Sequence, residues 1–486
     1  MTGMRLSALL EGMAPVGAHR DCVVRGATLD SRAVSPGTLF LALPGARHDG
    51  RRYIADAIAR GAAAVLYEPE GFDPGPLAVP AVGVRGLAAR TGAIAARLYG
   101  APSRRLRVVG ITGTNGKTTC SQLLAQALDR PPQRCGVIGT LGYGFPGALE
   151  PGLHTTPDAC LLQRLLAEFR AAGAAYVSME VSSHALAQGR VEEVAFAAAV
   201  FTNLSRDHLD YHGDMDAYGA AKARLFRREG LAAAVVNRDD PYGRHLIDIA
   251  AAHTRVVTYG LDGGDVRAAA LECAREGLRL RAATPHGDVE IAAPLLGRFN
   301  AANVLAVLAT LLALGFELED AAARLAQLRP VPGRVERFVA ADDRPLVVVD
   351  YAHTPDALAQ VLDALRAHTR GRLWCVFGCG GDRDRGKRPQ MGAIAERLAD
   401  VVILTDDNPR HESGDAIIRD ILGGMRTPPR VIRDRRSALA AAIGEAEPND
   451  TVLVAGKGHE DYQQIGDTRQ RYSDRATVRE LLGIAA

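Results

Sequence analysis

The chain has almost no excess of charge of either sign. Its 58 Lys and Arg stand against 56 Asp and Glu, for a net charge of +2. That balance excludes a general polyanion binder, though it leaves room for a local basic pocket. Long apolar runs are also missing. The longest nearly uncharged one, Val304 to Phe316, falls short of the roughly 20 residues that a helix needs to cross a bilayer core, so no membrane span is expected. The stretch from Met1 to Gly17 has one Arg and a short, broken apolar patch, and no signal peptide is expected there. Seven cysteines, at 22, 120, 135, 160, 273, 375 and 379, contain no Cys-x-x-Cys spacing. Free thiols, a cytoplasmic location and no zinc site are the expectation. With Gly at 51 and Pro at 25 of 486 residues, low complexity is excluded as well.

What is present is a chain long enough for about three domains at roughly 150 residues each. Tyr99-Gly100-Ala101-Pro102-Ser103 and Pro330-Val331-Pro332-Gly333 carry the Gly/Pro punctuation of linkers. They divide the chain into 1–102, 103–332 and 333–486. The last two segments alternate short β-branched runs with helical periodicity, the pattern of parallel α/β sheets. Expected strands are Arg107–Ile111, Ala175–Met179, Ala198–Phe201, Ala233–Val236, Pro345–Val349, Leu373–Phe377, Val401–Leu404 and Thr451–Val454. Most run directly into polar or Gly-rich signatures: GTNGKTT, EVSSH, TNLSRDHLD, DYAHTPD, GCGGDRDRGKRP, TDDNPR and AGKGHED. Ligands of open α/β sheets bind at the carboxyl ends of strands, so two ligand-bearing faces are expected, one in each segment.

The segment Gly110-Ile111-Thr112-Gly113-Thr114-Asn115-Gly116-Lys117-Thr118-Thr119 lies between a strand and a helix expected to begin near Ser121. Its glycines let backbone amides approach phosphate oxygens, Lys117 adds charge and Thr118 a hydroxyl for magnesium. The usual phosphate loop has Gly five residues before Gly116, where this chain has Ile111, with glycines instead at 110, 113 and 116. A nucleotide triphosphate needs a divalent cation, for which Glu180 and His208 are candidate ligands. Lys222, taken alone, reads as a solvated helical lysine. Arg383, the Asp407-Asn408-Pro409-Arg410 loop and the Gly456-Lys457-Gly458-His459-Glu460 loop pair opposite charges at strand ends, which suits a zwitterionic ligand.

These motifs together resemble the Mur ligase family over essentially the whole chain. LDSRAVSPGTLFLALPG, DGRRY, HTTPD, MEVSSHAL, LLGRFNAANVLA, VVVDYAHTPDAL and LVAGKGHEDYQ join those above. The resemblance implies a central P-loop parallel α/β domain that binds ATP, a C-terminal Rossmann-like α/β domain that brings the amino acid, and a smaller N-terminal α/β domain that holds a uridine nucleotide. The implied reaction adds meso-2,6-diaminopimelate to UDP-N-acetylmuramoyl-L-alanyl-D-glutamate through an acyl phosphate, as a step of peptidoglycan precursor synthesis. A lysine-adding relative or a folylpolyglutamate-type ligase is the alternative. A P-loop kinase leaves the C-terminal loops unexplained, and a GTPase would want an Asn/Thr-Lys-x-Asp motif after a strand, which is not found.

By the same resemblance, Leu29, Ser31, Ala46, Arg47 and His48 meet the uridine nucleotide. Thr155, Thr156, Ser182, Gln188 and Arg190 meet the muramoyl peptide. His154 stands where relatives often have Asn, which puts a substrate contact at 154 in question. Gly113 to Thr119, Asn300, Arg334 and Asp350 match nucleotide contacts. Arg383, Asp407, Asn408, Pro409, Arg410, Gly456 and Glu460 match diaminopimelate contacts. Lys222 matches a lysine carried as a carbamate. That reverses its bland reading, because an anionic oxygen suits magnesium and an ammonium does not. Magnesium would then be held by Thr118, Glu180, His208 and carbamylated Lys222. Small-molecule substrates and a monomer are expected.

Overall fold

The computed structural model describes residues 3–45, 48–340 and 343–484. Two compact units account for them: Met1–Tyr259 with Ala309–Gly315, and Gly260–Leu308 with Phe316–Ala486. Among the described residues no helix is long and apolar enough to cross a membrane.

The first unit begins with a four-stranded parallel sheet, ordered Gly26–Thr28, Thr38–Ala42, Ala64–Tyr67, Ala81–Gly83. Thr38–Ala42 is buried at all five positions, as a strand covered on both faces must be. A larger sheet follows. Its parallel strands lie in the order Arg134–Gly139, Ala174–Glu180, Arg107–Thr112, Phe196–Phe201, Ala233–Asn237 and Arg255–Gly260. The first of these in sequence, Arg107–Thr112, therefore sits in the middle with later strands on both sides. Strand order reverses there, which opens a crevice beyond its carboxyl end.

Helix Ala159–Ala171 joins the two layers. Asp158 caps it, its carboxylate accepting from the amides of Cys160 and Leu161 at 2.9 and 3.1 Å, and Gly173 at φ 81° follows its end. Leu162, Leu166 and Phe169 recur at helical spacing and pack into the core of the larger sheet, whereas Cys160 and Ala167 pack into the core of the smaller one. Each large apolar side chain buried this way contributes at most about 1.5–3 kcal/mol.

The second unit contains an antiparallel ladder, Val266–Ala274, Gly277–Thr284 and Gly287–Ala293. A six-stranded sheet follows, ordered Glu336–Phe338, Leu346–Asp350, Thr451–Ala455, Leu373–Phe377, Val401–Leu404 and Arg430–Val431. Only Glu336–Phe338 runs antiparallel to its neighbour. Separate apolar clusters cover its two faces, one around Val348, Cys375 and Leu453 and one around Val347, Trp374 and Val452. Arg435 and Asp474 form a bidentate ion pair at 2.8 and 2.7 Å between two helix starts, with side chains 1% and 0% exposed.

All eight expected strands form, several extended by one or two residues. The helix expected near Ser121 instead begins at Lys117, because Gly116 at φ 84° turns the chain directly into it. Lys117 and Thr118 thus belong to its first turn. The antiparallel ladder was not expected within a segment read as parallel α/β.

Removing one partner of the Arg435–Asp474 pair strands a buried charge. Asp474→Ala should lower stability by about 3–5 kcal/mol, measured by urea unfolding of the full chain; an unchanged midpoint would contradict this role.

Candidate active site

The phosphate loop lies at the crevice predicted from strand order. Gly110 is still in the strand, where a Cβ would press on the Phe196 ring at 2.7 Å, so it serves packing. Gly113 at φ 150° and Gly116 at φ 84° form the loop itself. A Cβ on Gly113 would collide with the Thr202 hydroxyl. The segment after Phe196–Phe201 braces the loop from one side. The Asn115 amide donates to Asn203 Oδ1 at 2.9 Å, the Thr202 hydroxyl donates to the Asn115 carbonyl at 2.6 Å, and the Thr114 amide donates to the Asn203 carbonyl at 2.8 Å. On the other side, the Thr114 hydroxyl lies 3.2 Å from the Tyr218 hydroxyl.

Two lysines converge on one carbonyl. Lys117 Nζ donates to the Gly113 oxygen at 2.8 Å and to the Thr114 oxygen at 2.8 Å. Lys222 Nζ donates to the same Gly113 oxygen at 2.8 Å and stands 4.3 Å over the Tyr218 ring. With 1% exposure, Lys222 is not the solvated lysine that its helix alone suggested. Burial, and then the Lys117 charge, hold its pKa well below the usual lysine range.

Glu180 ends its strand fully buried. It accepts from the Thr118 hydroxyl at 3.0 Å, from the Thr140 amide at 2.8 Å and from the Thr140 hydroxyl at 3.2 Å. His208 adopts φ 53°, strained for a non-glycine residue, and its ring meets His184 edge-on at 4.8 Å. Burial lowers its pKa, opposed by Asp207 and assisted by Lys117 and Lys222, which leaves a neutral imidazole. A carboxylate, a hydroxyl and a neutral imidazole make a donor set that fits magnesium, which commonly keeps several waters beside a few protein ligands.

A cleft of about 1140 Å³ joins the two sheets of the first unit, with Leu29, Ser31, His48, His154, Gln188 and Arg190 in its lining. Leu29, Ser31 and His48, expected to hold the uridine nucleotide, thus share one cavity with Gln188 and Arg190, expected to hold the peptide, while Thr155, Thr156 and Ser182 are not in its lining; Ala46 and Arg47 lie outside the described residues. Arg190 donates to the Thr156 carbonyl at 2.8 Å and to Gln188 Oε1 at 2.9 Å, and burial lowers its pKa. The Thr156 hydroxyl donates to the Glu180 carbonyl at 2.8 Å and accepts from the Ser182 amide at 3.0 Å. The hydroxyls of Thr155 and Thr140 are 3.0 Å apart. These bonds tie the cleft wall to the buried carboxylate.

In the second unit, Asp350 accepts from the amides of Val335 and Ala352, both at 2.7 Å, and burial raises its pKa. Arg334 lies 4.8 Å over the Tyr351 ring, with its Nε buried and unbonded. Asn300 is buried and donates to the Leu296 carbonyl at 2.8 Å. The loops at 378–383, 407–410 and 456–460 pack together. The Gly381 amide donates to the Asn408 carbonyl at 2.9 Å, and Arg410 Nη1 donates to the Gly381 carbonyl at 2.7 Å. A Cβ on Gly456 would collide with Asp407, and one on Gly381 with the Pro409 carbonyl. Arg383 is exposed beside them. Arg410, at φ 51°, is a second strained non-glycine residue among the candidates.

Several contributors escaped the sequence reading. Thr140 follows a strand, Arg134–Gly139, that was not expected. Thr202, Asn203 and Ser205 lie in a signature that was noted, TNLSRDHLD, and strand adjacency would have shown that they face the loop. Tyr218 precedes Lys222 by one helical turn, a spacing that places both on one face.

Residues 111–311 match the Mur ligase middle domain, 333–458 the Mur ligase glutamate ligase domain, and 23–108 the catalytic domain of the Mur ligase family. The chain is 54% identical, over 99% of its own length and 99% of the relative's, to the UDP-N-acetylmuramoyl-L-alanyl-D-glutamate–2,6-diaminopimelate ligase of Alkalilimnicola ehrlichii. A solved structure of a ligase with that same name matches with a TM-score of 0.73 and 38% identity over 99% of each chain. The MurF ligase of Thermotoga maritima in complex with ADP shares the fold, with a TM-score of 0.66 at 18% identity over 95% of this chain and 97% of that one.

Gly113→Ala should weaken nucleotide binding about tenfold or more, since a strained, displaced loop costs on the order of 1–3 kcal/mol and 1.4 kcal/mol is a factor of ten. Titration calorimetry with ADP checks this, and wild-type affinity would remove Gly113 from the loop's working geometry.

Proposed function

The chain belongs to the Mur ligase family, and from that premise we propose an ATP-dependent ligase that joins meso-2,6-diaminopimelate to the D-glutamyl carboxylate of UDP-N-acetylmuramoyl-L-alanyl-D-glutamate. The full-length 54% identity to a diaminopimelate ligase carries this conclusion. Three functional domains, 1–102, 103–332 and 333–486, suit it, and so do a cytoplasmic location and a monomer. Its place is peptidoglycan precursor synthesis.

The D-glutamyl carboxylate, held in the cleft by Arg190 and its neighbours, attacks the γ-phosphorus of ATP in line, and ADP leaves. Lys117 and the loop amides face the transferring phosphoryl group. Thr118, Glu180, His208 and Lys222 as a carbamate would hold magnesium, which when bound neutralises charge on the phosphate oxygens. The amine of diaminopimelate then adds to the carbonyl of the acyl phosphate and loses a proton; the acyl C–O bond breaks and phosphate departs. Asn300, Arg334 and Asp350 act as further nucleotide contacts. Arg383, Asp407, Asn408, Pro409, Arg410, Gly456 and Glu460 receive the acceptor, with Arg410 on its distal carboxylate, the group that lysine lacks.

Neutral Lys222 is the form that adds carbon dioxide: the amine nitrogen bonds to carbon, one proton leaves, and a carbamate anion replaces a cation that the site holds poorly.

Phosphate release from ATP should require both the nucleotide dipeptide and diaminopimelate, with L-lysine a poor acceptor; equal use of lysine would refute the acceptor assignment. Arg410→Ala should reduce kcat/KM for diaminopimelate by about 10² to 10⁴ and leave ADP affinity intact. Unchanged diaminopimelate kinetics would remove Arg410 from the acceptor site.

A further inference from the structure

One ammonium in the second unit is fully buried and has no part in the chemistry above. Lys457 has a side chain that is 0% exposed. Its Nζ donates to Asn408 Oδ1 at 2.8 Å and to the Tyr462 carbonyl at 2.9 Å, and stands 3.7 Å from Asp407 Oδ1 and 3.8 Å from Glu460 Oε2. Asn408 in turn donates from Nδ2 to Glu460 Oε2 at 2.9 Å. One cation is thus enclosed by three of the residues assigned to the acceptor. The backbone allows little play in this arrangement. Gly456 at φ 117° has no room for a Cβ against Asp407, and Gly458 at φ 52° has none against Tyr351, whose Cβ would lie 2.7 Å away.

We propose that Lys457 is a positioning residue of the acceptor site: its buried ammonium aligns the Asp407 and Glu460 carboxylates to receive an ammonium of the amino-acid acceptor. The inference rests on the function proposed above. An opposite charge 3.8 Å from Glu460 favours its ionised form, which burial and the neighbouring Asp407 charge oppose. Burial and Asp407 already raise the pKa of Glu460, while Asn408, Lys457 and Arg410 lower it. Burial lowers the pKa of Lys457, assisted by Arg435 and opposed by Asp407, Glu460 and Asp474, and Tyr351 lies near Glu460. Lys457 does not touch the acceptor; it acts through the carboxylates.

The test is the pH dependence of KM for diaminopimelate in the full-length enzyme. Without the cation, Glu460 takes up a proton at higher pH, so KM should begin its rise on acidification about one to three pH units earlier in Lys457→Met than in wild type. The KM for ATP should stay within about twofold, well under the tenfold that 1.4 kcal/mol gives. Lys457→Met/Glu460→Gln removes cation and anion together and keeps the proposal testable where the single variant folds poorly. Its KM for diaminopimelate should exceed that of Glu460→Gln by a smaller factor than the KM of Lys457→Met exceeds that of wild type, because one of the two carboxylates through which Lys457 acts is already neutral. A wild-type pH profile in Lys457→Met, or full additivity in the double variant, would overturn the proposal while leaving the ligase assignment standing. Absence of diaminopimelate-dependent phosphate release in the wild type would overturn the assignment itself.

Discussion

Two lysine nitrogens share the Gly113 carbonyl, each at 2.8 Å, and the candidate active site is arranged around that crowding. Like charges this near each other and away from water cannot both persist without a compensating anion. Lys117 retains an outlet, the Thr114 carbonyl and the open side of the loop where phosphates bind. Lys222 has none: it is buried, and the Tyr218 ring covers it. The balance therefore falls on Lys222, whose charged form is disfavoured by burial and then by the Lys117 charge. The proposed conversion to a carbamate would turn the least tolerable charge in the site into a favourable one, close to Lys117.

The rest of the first unit fixes that carbonyl in place. Gly113 follows the central strand, at the point where strand order reverses, and neighbouring strands on both sides supply the groups that hold it. Thr202 and Asn203 come from one side, and Glu180 with its Thr118 bond comes from the other. Glycine at 113 is required because the Thr202 hydroxyl occupies the space of a Cβ. The same Glu180 reaches, through Thr140, Thr155 and Thr156, to the wall of the cleft. The second unit also holds a buried lysine, Lys457, set between the carboxylates of Asp407 and Glu460.

Much of this was legible in the sequence, for identifiable reasons. Strands covered on both faces are continuous apolar runs, so Arg107–Thr112, Leu373–Phe377 and Thr451–Ala455 stood out, and the polar signatures that follow them marked the loops. Residues whose role depends on neighbours distant in sequence were not legible. Nothing in the helix around Lys222 reveals that Gly113, more than a hundred positions earlier, receives its proton donor; only the resemblance singled it out. The antiparallel ladder of Val266–Ala293 was missed because alanines and arginines blur its two-residue alternation. Gly110 was read as a loop glycine from its spacing, while the Phe196 ring that requires it lies on a neighbouring strand.

Carbon-13 NMR of the protein equilibrated with labelled bicarbonate reads the state of Lys222 most directly. A carbamate carbon signal in the wild type that vanishes in Lys222→Met, with the variant still folded by circular dichroism, is the expected result. A wild type with no carbamate signal, or a signal that survives Lys222→Met, would contradict the claim that crowding at the Gly113 carbonyl makes this lysine the site of an anionic metal ligand.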